Sequence, residues 1–410
     1  MNNTPELLSP AGDLDKMRFG IAYGADAVYM AGTRFGMRAA ATNFDDNALR
    51  DGITYAHAHG VKCYITVNIM PSNRDLPALP AYLELLQDVG ADALIIADVG
   101  VLRMARRYAP KVPVHISTQT SILNHEAANY WADEGAERIV LARELSLEEI
   151  AEIRAKTPKE LEIEAFVHGA MCISYSGRCL ISQYMTGRDA NHGACAQPCR
   201  WNYSLMEEKR PGQFFPVEED GRGTYLYNSK DMCMIEHVPE LIEAGITSFK
   251  IEGRNKTAYY AACVTGAYRA AIDTYKKDPE NFVLPQFCRD EVNKVSHREY
   301  YTGFYFGNQE NGQHYGDSQY IREYEVVGMP VECDDSGKAV FALKNRFFDG
   351  EELELIQPGQ APYVFRAENV TDDEGTKREL FNVPQMRVHF VFPFKVSEWA
   401  ILRKAKERPE

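Results

Sequence analysis

The chain has 410 residues, a formal net charge of −14, 45% hydrophobic residues and 25% charged residues, which is typical of a globular protein. A chain of this length is longer than a single hydrophobic core usually stabilises, so we expect a large domain and a smaller one. No apolar run approaches the roughly 20 residues that cross a bilayer, and the N-terminus lacks the regions of a signal peptide. We therefore expect a cytoplasmic protein without a membrane partner. The acidic balance argues against broad coating of nucleic acid but leaves room for a local basic groove.

A repeated sequence pattern in residues 1–252 predicts parallel strands. Helical stretches end in Gly and are followed by apolar, β-branched runs, as in YGADAVYMAG, HGVKCYITVN and VGADALIIADVG. Gly just past a helix is a common cap, and such runs are typical of strands buried on both faces. The predicted strands are residues 5–9, 25–31, 61–68, 92–98, 112–118, 136–142, 161–168 and 246–252. Eight alternating units indicate an α/β fold, a (β/α)8 TIM-like barrel, with a doubly wound open sheet as the alternative.

The regular spacing of the strands is interrupted once, after predicted strand seven. A Cys-rich insertion at about 170–235 leaves from the C-terminal end of that strand, where barrels build their active sites. We predict a barrel domain over residues 1–290 that includes this insertion, a linker over 291–317 and a small all-β, barrel-like domain over 318–410. In this last domain, short alternating runs are separated by Asp-Ser-Gly and Asp-Gly turns.

Four of the nine cysteines lie within residues 171–200 of the insertion. Cys172, Cys179, Cys195 and Cys199 have the spacing C-x6-C-x15-C-x3-C. In a reducing cytosol, clustered cysteines favour metal binding or redox chemistry over structural disulfides. Zinc sites usually begin with a pair separated by about two to four residues, whereas iron-sulfur clusters tolerate wider gaps. The spacing favours an iron-sulfur cluster and leaves zinc open, with Cys233 as an alternative fourth ligand.

The segment EAFVHGAMCISYSGRCLIS, residues 164–182, resembles the hallmark segment of the collagenase-like peptidases, family 32 of unknown catalytic type. Further similarity runs through ELLSPAGDLDKMRFGIAYGADAVYMAG, NSKDMCMIEHVPELIEAGITSFKIEGR and YYTGFYFG. The matching positions of the hallmark segment are Glu164, Phe166, Gly169, Ala170, Met171, Cys172, Gly177, Cys179, Ile181 and Ser182.

The resemblance implies hydroxylation without oxygen rather than proteolysis, with a [4Fe-4S] cluster and prephenate as co-substrate. Branches of the family act on ubiquinone precursors, ribosomal RNA or tRNA. The length and the segment LKNRFFDGEELELIQP are most similar to the tRNA branch, which converts wobble uridine to 5-hydroxyuridine. Carried over by position, the cluster ligands would be Cys172, Cys179 and Cys195, completed by Cys199, whereas some relatives of the quinone branch use the position of Cys233. Because members sometimes act in pairs, a paralogous partner subunit is a further expectation, beside tRNA.

Polar residues close several of the predicted strands. In a barrel such residues face one site, and Arg143 and Arg254 are the first candidates for binding the two carboxylates of prephenate. Each Arg could instead form a structural ion pair with a neighbouring Glu. Asn68 and Gln119 are the other candidate substrate-binding residues. The strand-end positions are Ser9, Asn68, Asp98, Gln119, Arg143, Glu144, His168, Glu252 and Arg254.

The candidate catalytic residues are His168, Glu164 and Glu252. His168 directly precedes the cysteine segment and is either a proton donor or a hydrogen-bonded packing residue. Strand alternation predicts that the side chains of Glu164, Phe166 and His168 point the same way. A carboxylate inside a barrel needs a partner, and Lys250 on predicted strand eight is the expected one.

Three stretches combine cations with aromatic residues, as an RNA surface would: RWNY at 200–203, GRNKTAYY at 253–260 and LKNRFF at 343–348. Aromatic residues of the core next to solvated Lys or Arg side chains would produce the same sequence pattern. Two other functions stay open. One is a peptidase, although the H-E-x-x-H motif is absent from the sequence. The other is a non-catalytic iron-sulfur or zinc protein that binds RNA or a partner.

Overall fold

The computed structural model describes residues 4–37, 42–172, 174–175, 178–201, 204–206, 214–216, 229–307 and 320–406. Gly177 of the hallmark segment, residues 202–203 of the first aromatic stretch and residues 308–319, which include the end of the predicted linker, lie outside these ranges.

The bounds of the strands and helices are as follows. The strands as far as residue 301 are β1 (Glu6–Pro10), β2 (Ala27–Met30), β3 (Lys62–Val67), β4 (Ala93–Ile96), β5 (Val114–Ile116), β6 (Arg138–Val140), β7 (Glu162–Ala170), β8 (Ser204–Met206), β9 (Phe214–Pro216), β10 (Asp231–Cys233), β11 (Ser248–Ile251) and β12 (Tyr300–Tyr301). The helices are α1 (Leu14–Ala22), α2 (Asp46–Ala58), α3 (Leu79–Asp88), α4 (Val99–Tyr108), α5 (His125–Asp133), α6 (Leu147–Ala155), α7 (Ile181–Thr186), α8 (Val238–Glu243), α9 (Ala258–Lys277) and α10 (Gln286–Asn293). The C-terminal strands are β13 (Tyr324–Cys333), β14 (Lys338–Leu343), β15 (Phe347–Phe348), β16 (Glu352–Ile356), β17 (Tyr363–Arg366), β18 (Thr371–Asp372), β19 (Leu380–Phe381), β20 (Arg387–Val391) and β21 (Ile401–Ala405).

Eight parallel strands close into a barrel. Strands β1 to β7 pair in chain order, and β11 pairs with β7 on one side and with β1 on the other. A doubly wound sheet would leave two open edges, whereas here the first and last strands are joined. The (β/α)8 prediction is therefore confirmed, and the eight predicted strands coincide with β1 to β7 and β11.

Side-chain caps explain where several helices begin. The carboxylates of Asp13, Asp45 and Asp98 accept hydrogen bonds from backbone N–H groups in the first turns of α1, α2 and α4. A capping box of Ser146 and Glu149 starts α6. Asp98, one of the predicted strand-end residues, therefore acts as a helix cap.

The interior of the barrel contains a cluster of charged side chains. Arg138, which is 2% exposed, lies 2.6 Å from Glu6 and 3.0 Å from Glu164. On the other side of Glu164, the ammonium group of Lys250 lies 2.5 Å away. The expected partnership of Glu164 with Lys250 is thus present, and Arg138 is a second partner that the sequence analysis did not identify.

A bulge breaks the alternation of β7 just before the cysteine segment. Phe166 pairs with Lys250, but His168 pairs with the next residue of β11, Ile251. At Gly169 φ is 111°, and a Cβ there would lie 2.4 Å from the carbonyl oxygen of Glu252, so only Gly fits. The prediction that His168 points the same way as Glu164 and Phe166 is therefore wrong, because the extra residue turns it to the outer face of the barrel.

The C-terminal domain is an antiparallel sheet with the strand order β17-β16-β21-β13-β14-β20-β18. Its own core contains Phe341, Phe347 and Phe381, each 0% exposed. Buried Arg403 on β21 bonds Glu291 of α10 at 2.7 Å and Glu354 of β16 at 2.8 Å. This ion cluster holds the sheet against the barrel.

In the ranges described, no helix combines the length and the apolar character that spanning a membrane requires.

Candidate functional site

A cavity of about 820 Å³ lies at the carboxyl ends of the barrel strands. Its wall includes Asn68 after β3, Gln119 after β5, Arg143 after β6 and Glu252 and Arg254 after β11. Five of the nine predicted strand-end positions thus face one space, as expected for a barrel. The cavity is in the upper part of the size range of small-molecule sites, about 300–1,000 Å³.

The four clustered cysteines all line this cavity. Cys172 follows β7, Cys179 precedes α7, and Cys195 and Cys199 lie in the loop beyond α7; all four are half-buried. Cys233 does not line the cavity, since it lies in β10, paired with His168 on β7. Burial there raises the pKa of the Cys233 thiol to about 12. Of the five candidate ligands, Cys172, Cys179, Cys195 and Cys199 therefore line the cavity and Cys233 does not.

The cysteine loop is ordered by its own backbone and by Asn191. The amide of Asn191 bonds both the N–H and the carbonyl of Cys179, at 3.3 and 3.1 Å. The N–H of Ile181 donates to Cys179 Sγ, and that of Gln197 donates to Cys195 Sγ, each at 3.4 Å. Backbone N–H groups aimed at sulfur stabilise thiolates, which suits thiols that bind a metal cluster.

The donor chemistry fits a thiolate-bound group, but the thiols are not gathered around a point. Among the described residues, no group of three or more His, Cys, Asp or Glu side chains is placed to hold a metal ion. The iron-sulfur and zinc assignments therefore stay predictions.

The charge of the cavity wall is opposite to that of the whole chain. The sequence contains 45 Lys and Arg residues against 59 Asp and Glu residues, but the described residues of the lining include seven cations and one carboxylate, Glu252. A wall of this kind attracts anions. The lining cations are Arg143, Lys250, Arg254, Lys256, Arg322, Lys344 and Lys406.

Arg143 has no carboxylate partner among the described residues, so the alternative of a structural ion pair with its neighbour Glu is not realised. It donates to the carbonyl oxygen of Ala170 at 3.3 Å, and its guanidinium lies 5.2 Å from the ring centre of Phe166. Its Nε is buried without a hydrogen-bond partner. A buried donor without a partner is costly, so this guanidinium is well suited to receive an anionic ligand.

Arg254 is 3% exposed and is held by the floor of the site. It donates to Thr66 Oγ1 at 3.5 Å and to the carbonyl oxygen of Met37. Asn68 Nδ2 donates to Gln119 Oε1 at 3.0 Å, so these two predicted binding residues hold each other in place. The polar end of the cavity is therefore preorganised by side chains from β3, β5 and β11.

Tyr29 of β2 is a site residue that the sequence analysis missed. Its hydroxyl donates to the carbonyl oxygen of Ile251 at 3.0 Å and to Glu252 Oε2 at 3.2 Å, and Lys250 Nζ lies 4.5 Å from its ring centre. A polar aromatic residue near the end of an otherwise apolar strand was the available signal. Tyr29 orients Glu252, which is the carboxylate among the described lining residues.

His168 and Glu164, the other catalytic candidates, do not line the cavity. Glu164 is enclosed in the barrel interior by its two cationic partners. His168 is 0% exposed, and its Nε2 lies 3.3 Å from the hydroxyl of Tyr300. Burial, with smaller contributions from His297 and Lys256, lowers the pKa of His168 to about 3. A neutral imidazole outside the cavity acts in packing rather than as a proton donor.

Replacing His168 by Gln is expected to make the free energy of unfolding depend less steeply on pH below neutrality. The unfolded chain protonates His168 near pH 6.5, whereas the folded state resists protonation down to about 3, so stability falls as the pH drops through this interval. A difference of one bound proton between the two states changes the free energy of unfolding by at most about 1.4 kcal/mol per pH unit. Urea unfolding between pH 7 and 5 measures the slope for both proteins; equal slopes would contradict the assignment.

The three stretches of cations and aromatic residues contribute unequally to the cavity wall. All eight residues of 253–260 line the cavity, and in 343–348 Lys344 does. Trp201 in the first stretch is exposed but does not line it. The second stretch is thus the main contribution of the sequence motifs to the site.

Comparison with known proteins identifies relatives over nearly the whole chain. Residues 12–315 match peptidase family U32, and residues 322–403 match the peptidase family U32 C-terminal domain. A tRNA hydroxylation protein P1 of Bacillus subtilis strain 168 is 38% identical and covers 98% of this chain and 95% of its own length. A tRNA hydroxylation protein P of Escherichia coli K12 is 37% identical, covering 90% of both chains. The solved U32 peptidase Mk0906 aligns with a TM-score of 0.39 at 16% identity, covering 61% of this chain and 94% of its own.

Proposed function

The chain belongs to peptidase family U32, and we propose that it hydroxylates the wobble uridine of tRNA, with prephenate as co-substrate and a [4Fe-4S] cluster as cofactor. The observation that carries this proposal is that four cysteines, seven cations and one carboxylate among the described residues line the same cavity. Relatives that match over nearly the whole chain are named as tRNA hydroxylation proteins, which supports RNA as the substrate class.

Hydroxylation without molecular oxygen needs another source of the oxygen atom and an acceptor for two electrons. Converting C5–H of uracil to C5–OH removes two electrons from the base and adds one oxygen atom. Atoms and electrons balance if the hydroxyl oxygen of prephenate is transferred to C5 of uracil. Prephenate is then reduced by the two electrons that the base loses. A cluster bound by Cys172, Cys179, Cys195 and Cys199 would supply Lewis-acid or one-electron chemistry beside the two substrates.

Prephenate matches the deeper cations of the wall. It carries two carboxylates, and Arg143, Lys250 and Arg254 are the barrel cations that belong to strand ends. Planar guanidinium groups bind carboxylates through two parallel hydrogen bonds. Glu252, oriented by Tyr29, is the group in the wall that can accept a proton during the reaction.

Replacing Arg143 by Ala is expected to raise the KM for prephenate about 10- to 100-fold, since a hydrogen bond to a charged group contributes roughly 1.5–3 kcal/mol. Arg143→Lys should recover only part of the loss, because an ammonium group cannot bind a carboxylate bidentately. Steady-state kinetics with varied prephenate and saturating RNA measure the effect. Arg106→Ala, at an exposed ion pair with Glu134, is the control. An unchanged KM for Arg143→Ala would remove this residue from the prephenate site.

A peptidase is poorly supported by the site. A thiol peptidase needs a His within hydrogen-bond reach of the nucleophilic Cys. His168 instead contacts Tyr300, Tyr260 and Tyr268, with ring-centre distances of 5.3, 6.0 and 5.6 Å. The thiols are more simply explained as ligands.

The function is tested in a strain that lacks the gene. Mass spectrometry of its tRNA hydrolysate should show loss of 5-hydroxyuridine and its derivatives, restored by the intact gene and not by the Arg143→Ala gene at limiting prephenate. Because a paralogue could act on the same nucleoside, the purified protein is also assayed with unmodified tRNA, prephenate and reconstituted iron and sulfide, without oxygen. No hydroxylated product in that assay, with iron bound, would refute the proposal; product without prephenate would refute its co-substrate.

A further inference from the structure

Five of the seven described cations of the cavity wall form two sets that differ in burial and in the domain they belong to. Lys250 and Arg254, in the barrel, are 4% and 3% exposed. Arg322, Lys344 and Lys406, in the C-terminal domain, are exposed although they also line the cavity. We call these three the outer cations. The buried set can meet only what enters the cavity, whereas the outer cations can meet a macromolecule at its mouth.

Strand pairing brings the outer cations together at one end of the C-terminal sheet. Strand β13 begins just after Arg322 and lies between β21 and β14, antiparallel to both. The ends of β21 and β14 therefore lie beside the start of β13, and Lys406 and Lys344 follow those ends. The backbone N–H of Lys344 bonds the carbonyl of Val327 at 2.8 Å, which anchors it to this edge.

The outer cations are not used in ion pairs within the described structure. The nearby Lys404 is 2.9 Å from Glu351, whereas none of the three outer cations has a described carboxylate within 4.0 Å. Arg322 is held by neutral groups: its Nε donates to Ser296 Oγ at 3.2 Å, and its guanidinium lies 5.6 Å from the ring centre of Tyr320. Their charge is therefore available to an external anion.

We propose that the outer cations bind phosphate groups of a single-stranded RNA loop, next to the nucleotide whose base enters the cavity. The inference rests on the proposed function and adds which domain holds the RNA. A base that reacts inside a cavity must leave its stack while its phosphates stay outside. Phosphates beside the cavity mouth contact Arg322, Lys344 and Lys406. The C-terminal domain therefore binds the RNA backbone, a role that we call the clamp, and the reaction takes place in the cavity of the barrel.

The test compares two variants that each lose two positive charges on the C-terminal domain. Lys344→Ala/Lys406→Ala removes two outer cations. Lys338→Ala/Lys395→Ala is the matched control: Lys338 starts β14, about 20 Å from Lys344 along the strand, and Lys395 is an exposed residue paired with Asp335. All four side chains are exposed or at a strand end, so both variants should fold. Fluorescence anisotropy of a labelled anticodon stem-loop gives Kd over a range of salt concentrations.

Loss of two phosphate contacts should reduce the slope of log K against log salt by about 1.4 and raise Kd roughly 25-fold at 0.1 M salt, with the control unchanged. A Kd and slope equal to those of the wild type would refute the clamp, even if the wild type hydroxylates RNA. Equal losses in both variants would also refute it, because they would indicate net charge alone. If the outer variant loses RNA binding but the wild type forms no hydroxylated product, the clamp stands and the proposed hydroxylation fails.

Discussion

Replacing any one of Cys172, Cys179, Cys195 and Cys199 by Ser is expected to abolish RNA hydroxylation and to reduce bound iron after anaerobic reconstitution. Loss of an outer-shell partner typically costs a metal site about 10- to 100-fold in affinity or activity, and loss of a direct ligand should exceed that. Iron and acid-labile sulfide per chain, the visible absorption of the cluster and the rate of product formation are the measurements.

Two further cysteines provide controls for this experiment. Cys333 is exposed in the C-terminal domain, and Cys333→Ser should retain full iron and activity. Cys233 lies outside the cavity wall, so Cys233→Ser should retain the cluster as well. If Cys233→Ser loses iron and Cys199→Ser retains it, the fourth ligand is Cys233. Zinc in place of iron after reconstitution with both metals would overturn the iron-sulfur assignment.

Replacing Arg138 by Met is expected to lower the free energy of unfolding by about 3–5 kcal/mol, the usual cost of removing one partner from a buried ion cluster. The variant leaves the carboxylates of Glu6 and Glu164 inside the barrel, where Arg138 had bonded both. Urea unfolding at pH 7 measures the change. The control is Arg106→Met, which breaks the exposed pair with Glu134 and should cost less than about 1 kcal/mol.

The pH dependence of the Arg138→Met variant separates lost charge from lost packing. Burial raises the pKa of Glu6, but the charge of Arg138 and hydrogen bonds from Arg138, Tyr64 and Ser248 outweigh it and lower the pKa. The stability from this interaction is present above the unfolded pKa of roughly 4.3 and is lost as the pH falls through the lower folded value. The deficit of the variant should therefore narrow as the pH falls from about 4.3 toward the lower folded pKa. A deficit that is equal at pH 7 and about pH 3 would indicate packing alone.

The strands of the barrel were predictable because their signal is local. A parallel strand covered on both faces is a short apolar run, and a Gly-capped helix end precedes it, as at Gly60 before β3 and Gly90 before β4. The cysteine loop was also predictable as a unit, since its thiols are close in sequence and follow a strand end. Neither inference depended on which distant residues would meet.

Residue roles that depend on register could not be predicted. His168 follows the alternation of Glu164 and Phe166 in sequence, but the register shift between Phe166 and His168 turns it outward. Tyr29 was missed for a related reason. Its partners, Ile251 and Glu252, lie at the end of β11 and just after it, more than 200 residues away in the chain.

The sequence by itself determined the alternating barrel, the antiparallel C-terminal domain and the presence of four thiols at one strand end, because hydrophobic period, turn residues and cysteine spacing act over short distances. Only the tertiary structure decided that Cys233 lies outside the cavity wall and that cations of two domains share this wall. Arg143 and Lys344 meet at the same cavity because closure of the barrel and the buried contacts of Arg403 place them there. Such long-range packing is the sum of many weak contacts, and no local pattern of residues encodes it.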